Sequence, residues 1–319
     1  MTGRVLLQNG AVFKPKLATM QDLAALQAFA IPGQLNFRSG PGGLIFADIE
    51  NPGGVASVCM QGAHCTTFRP RAQSEPVVWL SEAARFASGR SIRGGVPVCW
   101  PWFGAHPTER TFPAHGFART LSWDVVDSVG GQGATELFLQ LPPGATARAQ
   151  WPHDTPVDLR IRVADTLEIA LTTRNATAIP LSVGEALHAY FFVGDIAEVE
   201  LDGLEGCTYL DKTEGFTRKR QDAPLRFDGE IDRVYVNAWG ECAIVDARLR
   251  RRIRIAKQGS ASTVVWSPGH DKAAALGDFT ATGWRNMLCV ESANAADDVL
   301  TLKPGHTHTL AVRYSAEAT

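Results

Sequence analysis

With 319 residues, 45% of them hydrophobic and 20% charged, and a formal net charge of −2, the chain can bury a large core, which excludes disorder as its main state. Thirty glycines and 18 prolines show no period, so collagen-like and low-complexity architectures are excluded too. The near-neutral balance argues against a dedicated nucleic-acid binder, although seven lysines against 24 arginines supply many planar forks for anions.

In chain order, residues 1–35 differ from the rest. Val5-Leu6-Leu7 is cut short by Gln8-Asn9-Gly10, so no adequate signal-peptide core forms, and no 18-residue apolar stretch follows anywhere. The expected location is cytoplasmic, with no membrane partner. Thr19 to Asp22 reads as a helix N-terminus; Leu23, Leu26 and Ala30 repeat at helical spacing, and Pro32-Gly33 stops the segment. This predicts an N-terminal extension, residues 1–35, carrying one short helix.

From residue 36 to 319 the pattern changes to short runs bounded by Gly, Pro, Asn or Asp. Strands are predicted at Gly43–Ala47, Thr135–Leu139, Leu167–Thr172, Ala243–Val245, Ser262–Trp266 and Val299–Leu302. Helical periodicity is nearly absent here. The fold class is therefore all-β, one large antiparallel β-sandwich domain. The six cysteines form no C-x-x-C pair and read as buried free thiols. The run Arg248–Ile255 suits a solvated strand or hairpin, and His306 and His308 alternate without a third metal ligand at a supporting spacing. No P-loop, nucleophile elbow or dinucleotide fingerprint occurs.

Four segments carry candidate chemistry. In Arg93–Gly104 two glycines allow a close backbone approach and leave Arg93 uncrowded, while Trp100, Trp102 and Phe103 are either sugar-stacking faces or core. His115 and Arg119 share a short glycine-containing loop, which suggests a polar pocket of positive character. His188 lies among apolar residues, as a structural histidine or a proton donor whose pKa burial would lower. Glu291 ends the apolar run Met287–Val290, where a carboxylate is costly unless paired or functional.

Taken in order, Arg93-Gly94-Gly95-Val96-Pro97, His115-Gly116-Phe117-Ala118-Arg119, His188 before its aromatic run, Val264-Val265-Trp266 and Cys289-Val290-Glu291 resemble the hexose-6-phosphate mutarotases (glucose-6-phosphate 1-epimerases) of the aldose 1-epimerase superfamily. The resemblance covers roughly residues 40–315. It implies an antiparallel β-sandwich of the galactose mutarotase-like type with its site on a concave face. It also implies His188 as catalytic acid, Glu291 as catalytic base, Arg93 and Arg119 as phosphate ligands, and Asp232 as a ligand of a substrate hydroxyl. His115 is read as a further substrate contact. The implied reaction exchanges the anomers of an aldohexose 6-phosphate with no cofactor and no metal; the expected partner is the small-molecule sugar phosphate, and the chain is expected to act as a monomer. A mutarotase of other sugars and a non-catalytic sugar-phosphate binder are the alternatives. Ala114, where the family often has Gln, and Ser267-Pro268-Gly269, where it often has Asn-Pro-Trp, depart from the pattern and bear on sugar identity more than on reaction type.

Overall fold

Period-two alternation runs through most of the chain, and the strands it makes join by antiparallel ladders into two large sheets. The computed structural model describes residues 22–144 and 150–319. One sheet runs, edge to edge, through Thr217–Arg220, Thr208–Asp211, Ile231–Val236, Ser262–Ser267, Met287–Asn294, Glu185–Leu187 and Val98–Cys99, with Tyr190–Phe192 as its eighth strand on Met287–Asn294. The nine-stranded sheet centres on the long strands Arg251–Gln258, Thr307–Ala318, Leu167–Arg174 and Val157–Val163. A four-stranded sheet over Leu35–Pro70 and a small pair, Leu181–Val183 with Leu300–Leu302, complete the antiparallel sandwich.

Register decides what each face of the eight-stranded sheet does, because residues paired across a ladder share a face. Tyr235, Val265, Val290, Leu187 and Leu288 point to the nine-stranded sheet and merge with Leu171, Ile244, Ile253, Leu310 and Val312 in the main core. On the reverse face Glu291 stands opposite Val264, which stands opposite Val234. Cys289 stands opposite Trp266 and Tyr190, and Trp266 opposite Asp232. Apolar residues of this second face pack separately, as Cys99, Ala186, Val234 and Val264 in one cluster and Trp79, Tyr190, Met287 and Cys289 in another. The sheet is thus apolar on both faces around a few polar side chains.

Most predicted elements appear, with instructive departures. Asp22 caps the helix Leu23–Leu26, its carboxylate accepting from the Ala25 N–H at 2.8 Å; the earlier part of the extension lies outside the described residues. Pro41–Gly43 forms a 3-10 turn, so the strand expected from Gly43 starts at Ile45. An unpredicted helix spans Gly269–Leu276; only Gly269 and Ala273 are buried, so no apolar stripe announces it. In the basic run, Arg251 is not solvated but buried, donating to the carbonyls of Glu75, Pro76 and Phe192, because a buried guanidinium needs acceptors for its fork. His306 precedes the strand Thr307–Ala318 rather than sharing its face with His308. All six cysteines are free, and five are buried.

Between the sheets sits a carboxyl that the sequence does not flag. Glu185, on the core face, accepts a hydrogen bond from Thr173 Oγ1 at 3.1 Å, and its other oxygen lies 3.4 Å from His308 Nε2. Burial pushes Glu185 up to about 8, only partly offset by the Thr173 bond, and pushes His308 down. The contact is therefore between neutral groups and not an ion pair. Since the folded pKa lies above the unfolded one, the stability that this group contributes is complete below pH 4.5 and is lost as pH rises towards 8. Glu185→Gln should therefore gain on the order of 1–3 kcal/mol over the native chain at pH 8 and little at pH 4.5. Urea unfolding at the two pH values measures this; parallel pH dependences for both proteins would contradict it.

Candidate active site

The strand Glu185–Leu187 breaks after Leu187, and Tyr190–Phe192 resumes on the same neighbour, Met287–Asn294. In the gap, the His188 N–H donates to the Pro97 carbonyl at 3.0 Å and the Tyr190 N–H to the Gly95 carbonyl at 2.9 Å. Because Leu187 pairs with Ser292, the next residue arrives beside Glu291. His188 Nε2 and Glu291 Oε1 are 3.2 Å apart, with the side chains 10% and 2% exposed, so access to the pair comes from the histidine side. His188 Nδ1 and Glu291 Oε2 are buried without a protein partner. Burial drives His188 well below the usual imidazole range, helped by His115, Arg119 and Arg93. It drives Glu291 well above the carboxylate range, Lys212 and Arg119 opposing and Asp232 adding. Both directions favour neutral groups, so the pair holds one proton between them.

Aromatic rings fix the imidazole. His188 stacks on Tyr190 at 4.9 Å between centroids, Tyr190 on Trp79 at 5.9 Å, and Trp79 on Phe279 at 5.5 Å. Arg93 locks this stack: Nη1 donates to Tyr190 Oη at 2.9 Å, Nε to Asp278 Oδ2 at 3.1 Å, and the guanidinium lies over the rings of Phe279 and Trp266. The expectation of an uncrowded Arg93 is therefore corrected. The glycines after it serve internal packing: a Cβ on Gly94 would meet Leu80 Cα at 2.6 Å, and one on Gly95 would meet His64 Nε2 at 2.2 Å. Trp100 and Trp102 are core residues, and Phe103 packs edge-on against His115.

His115 adopts a left-handed backbone, φ 66°. Its N–H donates to the Gly104 carbonyl at 2.7 Å, and Nδ1 accepts from the Gly104 N–H at 3.3 Å, so the ring hydrogen resides on Nε2. Burial, with Arg119, Lys212 and Arg93 adding, lowers His115 to about 3. The ring, 5.7 Å from that of His188, is a neutral hydrogen-bond donor at physiological pH. Gly116 then passes so close to Trp100 that a Cβ would sit 2.0 Å from its carbonyl oxygen.

Arg119 Nη2 donates to the Ala114 carbonyl at 2.8 Å, so at this departure from the family pattern the backbone holds the arginine. Arg119 lines a cavity of about 390 Å³ together with Arg85, Arg90, Thr120 and Asp278. Arg85 and Arg90 were not singled out by sequence reasoning, since exposed arginines are common in this chain. Asp232 is clasped by Lys212 Nζ, at 2.8 and 2.7 Å from its two oxygens. Gly269, in the other departure, has a left-handed φ of 63°, and a Cβ there would come within 3.0 Å of Glu230 N, so the local backbone disfavours a larger residue. All six sequence-predicted residues gather on this face or in the loops over it. Tyr190, Asp278 and Lys212 were missed; only Tyr190, two residues beyond His188 and so on the same face, left a readable signal.

The donor atoms of His188, Cys289 and Glu291 come within 4.8 Å of one another. No helix among the described residues is long and apolar enough to cross a membrane.

Comparison with known proteins identifies the family. The aldose 1-epimerase family profile matches residues 47–315. A protein of Escherichia coli K12 named "Putative glucose-6-phosphate 1-epimerase" is 36% identical over 261 residues, covering 81% of this chain and 86% of its own. A protein of the same name from Cenchrus ciliaris is 34% identical, covering 81% and 83%. The crystal structure of a "putative mutarotase" from Salmonella typhimurium superposes with a TM-score of 0.83 at 32% identity, covering 93% of this chain and 99% of that one. A galactose mutarotase-like protein from Lactobacillus casei, 16% identical, shares the fold with a TM-score of 0.66 over 85% of this chain and 100% of its own. The chain belongs to the aldose 1-epimerase family and, with that family, is an epimerase.

Proposed function

We propose that this epimerase exchanges the α and β anomers of an aldohexose 6-phosphate, with glucose 6-phosphate as its principal substrate, by opening and closing the ring between His188 and Glu291. The buried 3.2 Å contact between these two side chains is the observation that carries the reading. Transfer of the shared proton from Glu291 to His188 creates the reactive form, a carboxylate beside an imidazolium. Glu291 takes the hydrogen of the anomeric hydroxyl while His188 gives its Nε2 proton to the ring oxygen. The C1–O5 bond breaks and C1=O1 forms; rotation about C1–C2 presents the other carbonyl face, and reversal of both transfers closes the ring. One proton enters the sugar and one leaves it, so no electron acceptor is needed.

The remaining residues bind. His115 donates from Nε2 to a sugar hydroxyl, and Asp232 accepts from another. Arg119 and the terminal nitrogen of Arg93 not engaged by Asp278 or Tyr190 hold the 6-phosphate through charge-assisted bonds. The three arginines around the neighbouring cavity and the names of the relatives from Escherichia coli and Cenchrus ciliaris support a phosphorylated sugar.

Anomer-exchange NMR with purified protein tests the assignment. Glu291→Gln should lower exchange by about 10²–10⁴-fold while the fold, monitored by circular dichroism, is kept; native-like turnover would remove Glu291 from the chemistry. The kcat/KM pH profile should be broad, because a second proton is hard to add beside a depressed His188 and the last is hard to remove beside a raised Glu291. A bell with both limbs close to neutrality would contradict the shared-proton description.

Phosphate selectivity is tested separately. Two charged contacts at about 1.5–3 kcal/mol each favour glucose 6-phosphate over glucose by on the order of a hundredfold or more in kcat/KM. Arg119→Ala should impair the phosphorylated sugar far more than glucose, and Arg119→Lys should rescue in part, since a point charge cannot reproduce a planar fork. Equal losses on both sugars would show that Arg119 braces the His115 loop, and would point to an unphosphorylated substrate.

A further inference from the structure

Lys212 has no place in the reaction as described so far, yet its surroundings are built with care. It opens the 3-10 turn Lys212–Glu214 at the end of the strand Thr208–Asp211. Asp211 fastens the turn from behind, accepting from the N–H and hydroxyl of Thr213 at 3.2 and 2.6 Å and from Lys219 Nζ at 3.1 Å. The front of the turn is thereby free to send Lys212 across to Asp232, whose two oxygens lie 2.8 and 2.7 Å from Nζ. Asp232 in turn is opposite Trp266, and Trp266 opposite Cys289, two residues before Glu291 on the same face.

We propose that Lys212 is a positioning residue for the epimerase reaction: it clamps the half-buried Asp232 towards the sugar and supplies the positive charge that lets this carboxylate and the buried carboxyl of Glu291 share one face of the sheet. The inference rests on reading Glu291 as the base. Without the ammonium group an ionised Glu291 would meet the Asp232 carboxylate with less compensation, so the proton would stay on Glu291, where it blocks abstraction from the anomeric hydroxyl. Other groups face Glu291 as well. Cys289 comes from its own strand, His188 and Tyr190 from the interrupted strand, and Cys99 from the sheet edge. Arg119 acts on it from the His115 loop. Of these, Arg119 is a second cation that, like Lys212, favours the ionised carboxyl. Lys212 also helps keep His115 neutral, hence a donor to substrate.

Two readouts test the proposal, one independent of any sugar. Infrared difference spectroscopy follows the protonated carboxyl band of Glu291, identified by its loss in Glu291→Gln. Anomer-exchange NMR gives the pH profile of kcat/KM. In Lys212→Met the carboxyl band should persist to a pH at least about one unit higher than in the native chain. The whole kcat/KM profile should move upward with it, so that activity on the acid side falls about tenfold or more. Lys212→Arg, which keeps the charge, should titrate close to the native chain. Asp232→Asn should shift the band in the opposite direction, and Lys212→Met with Asp232→Asn should return it towards the native midpoint. Should Lys212→Met not fold, Asp232→Asn and Lys212→Arg decide the matter alone. An unchanged band and profile in Lys212→Met, with only a raised KM or a lowered melting temperature, would overturn the proposal and leave Lys212 a brace. Absence of anomer exchange in the native chain would refute the proposed function, while the infrared titration would still decide the role of Lys212.

Discussion

Two ionisable groups, the carboxyl of Glu291 and the imidazole of His188, lie buried 3.2 Å apart, and the desolvation of each must be offset by what surrounds them. Sharing one proton removes most of the cost, because neither group is then obliged to ionise at rest. Arg119 and Lys212 make the charge-separated arrangement accessible by favouring carboxylate at Glu291. The stack from His188 through Tyr190 and Trp79 to Phe279, clipped by Arg93, keeps the imidazole in one orientation while the proton moves. Orientation matters for the proposed chemistry, since two transfers must address O1 and O5 of a single sugar ring.

The same sheet shows how little residue type reveals by itself. Glu185 and Glu291 are both glutamates in apolar strands, and both are pushed to neutrality by burial. Glu185 faces the inter-sheet core with Thr173 and His308, whereas Glu291 faces the second surface with His188. One register step separates the two outcomes, because adjacent positions on a strand look to opposite faces.

Much of the architecture was legible in the sequence because alternation and turn residues act locally: Thr135–Gln140, Leu167–Arg174 and Ser262–Ser267 arise close to where period two places them. The eight-residue helix Gly269–Leu276 was not, since it buries too little to show a stripe. Within the site, His188 and Glu291 could be singled out because a polar residue in an apolar run must be satisfied or used, and His115 because it shares a short glycine-containing loop with Arg119. Lys212 and Asp278 sit in polar stretches of ordinary appearance, and their partners, Asp232 and Arg93, are 20 and 185 residues away. No local pattern encodes such pairs. The close backbone approach expected of the glycines after Arg93 does occur, against Leu80 and His64 of the same chain, whereas the Arg93 guanidinium expected to be uncrowded is engaged by Tyr190 and Asp278.

The central claim is that one buried proton, held by His188 and Glu291, serves both ends of the hemiacetal. A crystal structure of Glu291→Gln with glucose 6-phosphate bound tests it most directly, since substitution preserves shape and stalls turnover. The account predicts the anomeric oxygen against residue 291, the ring oxygen within hydrogen-bond distance of His188 Nε2, and the phosphate against Arg119. A sugar bound with its ring oxygen and anomeric carbon turned away from this pair would contradict it.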